Sequence, residues 1–214
     1  MAVAYSQNGV IVKQTDTDWF SGSPNFSMYE LNQPIIEGTI TNQYTNYGIF
    51  KTPSFNFSQF NLIEQNVKYQ ILGWNADNLV FAGQFKTSTS SKNYGLTLYI
   101  AADKFILDYY LNGDQSGIIH LEEISHSFSI GDIIENKLII DKQNSTIYAK
   151  IKQNGNIIFD KTYTNINITY IDTQFYFFGI RFSDVANYAS PAKLFLDSTN
   201  FKNENGIIWG STKV

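Results

Sequence analysis

The sequence predicts an all-β protein, an antiparallel β-sandwich, on three observations. The first is composition: 27 Ile, 17 Phe and 14 Tyr stand against 7 Glu and 1 Arg, and the first three favour strands while Glu and Arg favour helices. The second is period. Ser145–Lys152 alternates cleanly, with Ile147, Ala149 and Ile151 on one face and Thr146, Tyr148 and Lys150 on the other. The third is turn chemistry, because Asn154-Gly155 between two such runs demands the positive φ of a type I′ hairpin. AT-rich coding would favour part of the same skew, so composition supports the class without proving it. Across 214 residues with 43% hydrophobic content there is enough apolar material for one large domain.

In chain order, residues 1–34 read as an amino-terminal arm or irregular opening strands, rich in turn signals such as Ser21-Gly-Ser-Pro24 and Asn32-Gln-Pro34. Residues 35–214 read as the sandwich. Strand-like runs fall at 9–13, 35–41, 46–51, 68–73 and 79–87, and residues 60–66 read as a short helical turn. Tyr94–Ile100 and Phe105–Leu111 form a hairpin across Ala101–Lys104. Lys137–Asp141, Ser145–Lys152 and Ile157–Tyr163 form a three-strand meander. Runs at 174–182 and 193–199 close the chain, with a short helical turn at 184–189. Short strands punctuated by Gly, Asn, Asp and Ser turns suggest a sandwich or barrel.

Several functions are disfavoured on these grounds. A chain of net charge −4 with Arg181 as its one arginine lacks the basic footprint of nucleic-acid binding. Without cysteine there is no disulfide framework, thiolate chemistry or cysteine-ligated metal. No apolar run is long enough for a helical membrane span, and the opening residues show no secretory pattern. His120, Glu122 and His126 share one face of an extended strand, but the two histidines are six residues apart, about 20 Å. No metal and no cofactor is therefore expected. Glu122 and Glu123 point to opposite faces, and the one acidic pair two residues apart, Asp16/Asp18, falls in a loop. With no Gly-x-Ser-x-Gly elbow, phosphate loop or His-Glu-x-x-His, the chain reads as non-enzymatic.

Aromatic residues beside Asn and Asp remain. Trp74, Asp77, Asn78, Tyr110, Asp184, Asn187 and Tyr188 are candidates for a glycan site, where a ring stacks and short polar side chains hydrogen-bond sugar hydroxyls. Turn-making Asn and Asp and end-filling aromatics are the plainer explanation of each. In Phe175–Phe182 both faces are apolar, so Tyr176, Phe178 and Phe182 either lie under a second layer or meet another subunit.

From residue 68 to 210 the chain resembles a concanavalin A-like, laminin-G-like jelly roll of bacteriophage tail and virion surface proteins. The resemblance is carried by Leu79–Thr87 with the following hairpin, by the 136–155 meander, and by a closing element, Lys193–Phe201 leading to Asn205-Gly-Ile-Ile-Trp-Gly210. Pro191-Ala192-Lys193 stands where the closing element usually has a glycine. The resemblance implies a virion structural protein, such as a tail-fibre, baseplate or head-fibre component. It would be assembled in the bacterial cytoplasm, exposed on the particle, homo-oligomeric with other virion proteins, and in contact with host surface glycan. The alternative is a glycan-binding lectin-like module, and a weaker one is a glycoside hydrolase.

Overall fold

The computed structural model describes residues 4–7, 10–13, 26–29, 35–38, 46–51, 59–73, 78–86, 95–110, 117–167, 175–182 and 192–212, with side chains at 59–73, 95–110, 117–167 and 202–206. Sixteen strands lie among them: β1 Ala4–Gln7, β2 Val10–Lys13, β3 Phe26–Tyr29, β4 Ile35–Gly38, β5 Asn46–Lys51, β6 Leu62–Gly73, β7 Asn78–Lys86 and β8 Leu96–Ile100, then β9 Lys104–Tyr110, β10 Ile118–Ser125, β11 Ile133–Asp141, β12 Thr146–Gln153, β13 Asn156–Tyr163, β14 Phe175–Phe182, β15 Ala192–Asn203 and β16 Gly206–Thr212. Their pairings are all antiparallel.

A ten-stranded sheet runs β13-β12-β11-β6-β15-β16-β1-β2, with β4 joined to β15 and β3 to β4. A six-stranded sheet runs β10-β9-β8-β7-β14-β5. Between the two sheets Phe105 of β9 meets Phe159 of β13 edge to face, with ring centroids 5.0 Å apart. Alternation along each strand builds this interior. Ile63, Val67, Tyr69 and Ile71 of β6 are buried, and so are Leu96, Leu98 and Ile100 of β8.

The expected meander over 137–163 is β11-β12-β13, and its turn has the predicted geometry, with φ of 52° at Asn154 and 83° at Gly155. A Cβ at Gly155 would meet nothing within 4 Å, so the cost of adding one is backbone strain alone. Gly155→Ala is therefore expected to destabilise the protein by about 1–2 kcal/mol, measured by urea unfolding.

The helical turn expected at 60–66 is corrected: residues 62–73 form one continuous strand at the centre of the larger sheet. Gln65 caused the misreading. It occupies a core-facing position, fully buried, where an apolar residue would have revealed the alternation. A second strand, β10, covers the segment that holds both glutamates of the 118–125 run. The short helical turn expected at 184–189 lies outside the described residues.

Candidate functional site

The outer face of the six-stranded sheet gathers a polar set. On β8 the residues alternating with buried Leu96, Leu98 and Ile100 are Thr97 and Tyr99, and on β9 those alternating with Phe105, Leu107 and Tyr109 are Asp108 and Tyr110. Register sets Thr97 opposite Asp108, and Asp108 opposite His120 of β10. The same backbone row continues from Thr97 to Gln84, Phe177 and Lys51.

His120 Nδ1 lies 2.7 Å from Asp108 Oδ1, and the imidazole is 60% exposed while the carboxylate is 7% exposed. An ionised carboxylate only accepts, so Nδ1–H is the donor to Asp108, which leaves Nε2 as the ring's other polar atom. Burial pushes the Asp108 carboxyl above its ordinary range, against the opposing pull of the His120 hydrogen bond. Over this pair the hydroxyls of Tyr99 and Tyr110 meet at 3.1 Å. Tyr99 is opposite Ile106, four residues from Tyr110 along β9. The two rings must therefore lean toward each other across the Thr97–Asp108 row, with Tyr110 almost fully buried and Tyr99 half-buried.

A β-bulge between His120 and Glu122 corrects the expected facing. Because Leu121 is the extra residue, Glu122 pairs with Leu107 and Glu123 with Ile106. His120 thus shares its face with Glu123, and Glu122 turns inward. Glu122 meets Lys161 of β13, closing one side of the sandwich, and that hydrogen bond first, with one from Tyr163, holds its carboxyl below the usual range. Glu123 pairs with Lys104 at 2.7 Å. His126, third member of the metal-spacing group, goes elsewhere: its Nε2 is 2.6 Å from Gln153 Oε1. The three side chains that sequence spacing aligned are therefore separated.

That histidine belongs to a second cluster, which sequence reading missed. Asp132, on the turn before β11, accepts from Ser129 N–H at 2.7 Å, Gln153 Nε2 at 2.6 Å and Asn154 Nδ2 at 2.7 Å. Burial works to raise its carboxyl, but these hydrogen bonds and nearby His126 outweigh it, and the carboxyl sits low. The cluster ties the 126–132 turn to the β12–β13 hairpin.

Among the sequence candidates, Tyr110 is almost fully buried, and its hydroxyl is what meets a polar partner. Asn78 opens β7 and pairs with Phe182 at the end of β14. Tyr176 pairs with Phe85 and Phe178 with Phe50, so β14 lies inside the sheet between β7 and β5. Trp74, Asp77, Asp184, Asn187 and Tyr188 lie outside the described residues. Asp108, Thr97 and Tyr99 were not singled out from sequence. Alternation alone would have put them on one face, but only strand register brings His120 to them.

No protein-family model and no curated protein matches this chain. Solved structures do. One is the alginate lyase A1-II′, a member of polysaccharide lyase family 7, with a TM-score of 0.61 at 9% identity over 94% of this chain and 93% of that one. Another is the alginate lyase PA1167 from Pseudomonas aeruginosa, at 0.59 and 7%, covering 95% and 97%. Peanut lectin matches at 0.55 and 10%, covering 91% and 94%. The chain is a concanavalin A-like jelly-roll β-sandwich, as its sequence predicts. The exclusion of enzymatic activity is overturned, because lyases are among the proteins that share this sandwich. Missing local motifs exclude little on such a fold, since a site on a sheet face is assembled from strands distant in sequence.

Proposed function

We propose that the protein engages a carbohydrate chain on the outer face of its six-stranded sheet, through His120 and the Tyr99–Tyr110 hydroxyls. One observation carries this reading: an exposed imidazole is held in a single orientation by a buried carboxylate 2.7 Å away. A polar group ordered before the ligand arrives loses less entropy on binding. The solved neighbours support the ligand class, being alginate lyases and a lectin on the same sandwich.

The same dyad favours a second reading, proton transfer on the bound sugar. Asp108 directs Nδ1, which leaves Nε2 to accept a proton, and a tyrosine hydroxyl above the row is a proton donor for a leaving oxygen. A virion setting belongs to this proposal too, as a fibre or baseplate component that presents the face to host surface glycan as a homo-oligomer. Its support is the sequence resemblance of the closing element, whose strands β15 and β16 pair across a turn at Glu204-Asn205.

Titration calorimetry with a polyuronate and with a neutral glucan tests the reading. His120→Ala is expected to weaken binding about tenfold, the equivalent of one charge-assisted hydrogen bond near 1.4 kcal/mol. Asp108→Asn should weaken binding while keeping neutral-pH stability, because it removes a charge that the fold disfavours. Unchanged affinity in both variants, or no binding of either polymer, defeats the proposal. Release of an unsaturated, ultraviolet-absorbing sugar end by the wild type but not by H120A would establish the catalytic reading.

A further inference from the structure

The outer face of the ten-stranded sheet holds a hollow of about 350 Å³ lined by Lys68, Lys137, Lys150 and Lys152, with Asn66 and Glu135. Its placement follows from register. Lys150 of β12 stands directly opposite Lys137 of β11, and Lys137 opposite Asn66 of β6. In the adjoining row Lys152 stands opposite Glu135, and Glu135 opposite Lys68.

A directly opposed pair of like charges destabilises a sheet, so the Lys137–Lys150 pairing works against the fold that contains it. Neighbouring carboxylates relieve only part of the charge. Lys137 reaches Glu64 at 3.0 Å, but Lys202 shares that carboxylate at 3.3 Å. Lys150 is held by Asp160 at 2.8 Å on the far side, and Lys152 is 3.7 Å from Glu135. Four lysines thus border the hollow with one glutamate in its wall, on a chain whose net charge is −4.

We propose that this hollow is an anion site for the phosphate of a phosphomonoester. Lysine binds phosphate as a set of mobile point charges, and several converging on one small volume suit a compact dianion better than a carboxylate or an extended polymer. A nucleic-acid backbone fits poorly, since the chain is acidic and has a single arginine. Asn66 also lines the hollow, with its Nδ2 donating to Glu64 at 2.7 Å, so the lysines supply the attraction for the anion. The site lies on the opposite sheet from the proposed sugar face and stands independently of it.

Phosphorus NMR and thermal unfolding test this on the full chain, with inorganic phosphate, glucose 6-phosphate and acetate at matched ionic strength set by sodium chloride. Saturable binding of phosphate and of glucose 6-phosphate is expected, each raising the unfolding midpoint, with acetate giving no shift beyond chloride. Lys137→Thr and Lys150→Thr are each expected to weaken phosphate binding at least tenfold while leaving the ligand-free midpoint close to that of the wild type, because the like-charge pair is lost together with the ion pair to Glu64 or Asp160. Tighter binding of glucose 6-phosphate than of inorganic phosphate supports the ester. Phosphate and acetate acting alike, or variants that bind phosphate as the wild type does, overturns the site.

Discussion

Replacing Phe105 with alanine is expected to lower the free energy of unfolding by about 3–5 kcal/mol, the range for deleting a buried aromatic ring. Phe105 is 1% exposed, and its ring meets Phe159 of the other sheet at an interplanar angle of 61°. The edge-to-face geometry adds about 0.5–1.5 kcal/mol to simple burial. Collapse cannot heal the cavity easily, because β9 is hydrogen-bonded on both sides, to β8 and to β10. Phe159→Ala should cost less, since β13 is paired on one side only among the described residues, and Phe159 is 8% exposed. In the double variant the two losses should fall short of additivity, because each single change already breaks the shared contact. Urea unfolding at unchanged m-value is the measurement. A loss of about 1 kcal/mol or less for F105A would be incompatible with a ring packed between two sheets.

Asp132→Ala is expected to cost about 1.5–3 kcal/mol at neutral pH, toward the lower end because the carboxylate is only partly buried. Three donors lose their acceptor, from Ser129, Gln153 and Asn154, and His126 loses the group that orients its partner Gln153. The pH dependence has a definite sign. Hydrogen bonds hold the folded carboxyl below its unfolded value of about 3.9, so its stabilisation is complete above that pH and is lost as pH falls through the folded value. Wild type and D132A should therefore differ most near neutrality and converge in strong acid. The acid limb will not vanish in the variant, because Glu64 and Glu122 are also held low: burial opposes this at Glu64, where Asn66, Lys137 and Lys202 prevail, and Lys161 leads at Glu122. A pH-independent gap between the two proteins would assign Asp132 a purely steric role.

Residue patterns made some elements readable and hid others for identifiable reasons. Ile147, Ala149 and Ile151 announce β12 because every second residue is apolar and the turn after it is Asn-Gly. Gln65 conceals the first half of β6 because a buried polar residue mimics a break in alternation. Uninterrupted alternation puts His120, Glu122 and His126 on one face, but a single bulged residue after His120 reverses the faces of the rest of β10, which ends before His126. The Asp132 cluster was hidden because two of its three partners, Gln153 and Asn154, lie 21 and 22 residues away across a hairpin.

The sequence by itself determined the class of this protein and its local geometry. Alternating Ile and Phe against polar neighbours specify strands, and Asn154-Gly155 specifies a left-handed turn, because both are properties of adjacent residues. Tertiary structure alone decided the sites. Asp108 meets His120, Lys150 meets Lys137, and Asp132 meets Gln153 through strand register and turn docking. Register is set by which apolar faces pack between two sheets, and a slip of one residue would send each of these side chains to the other side.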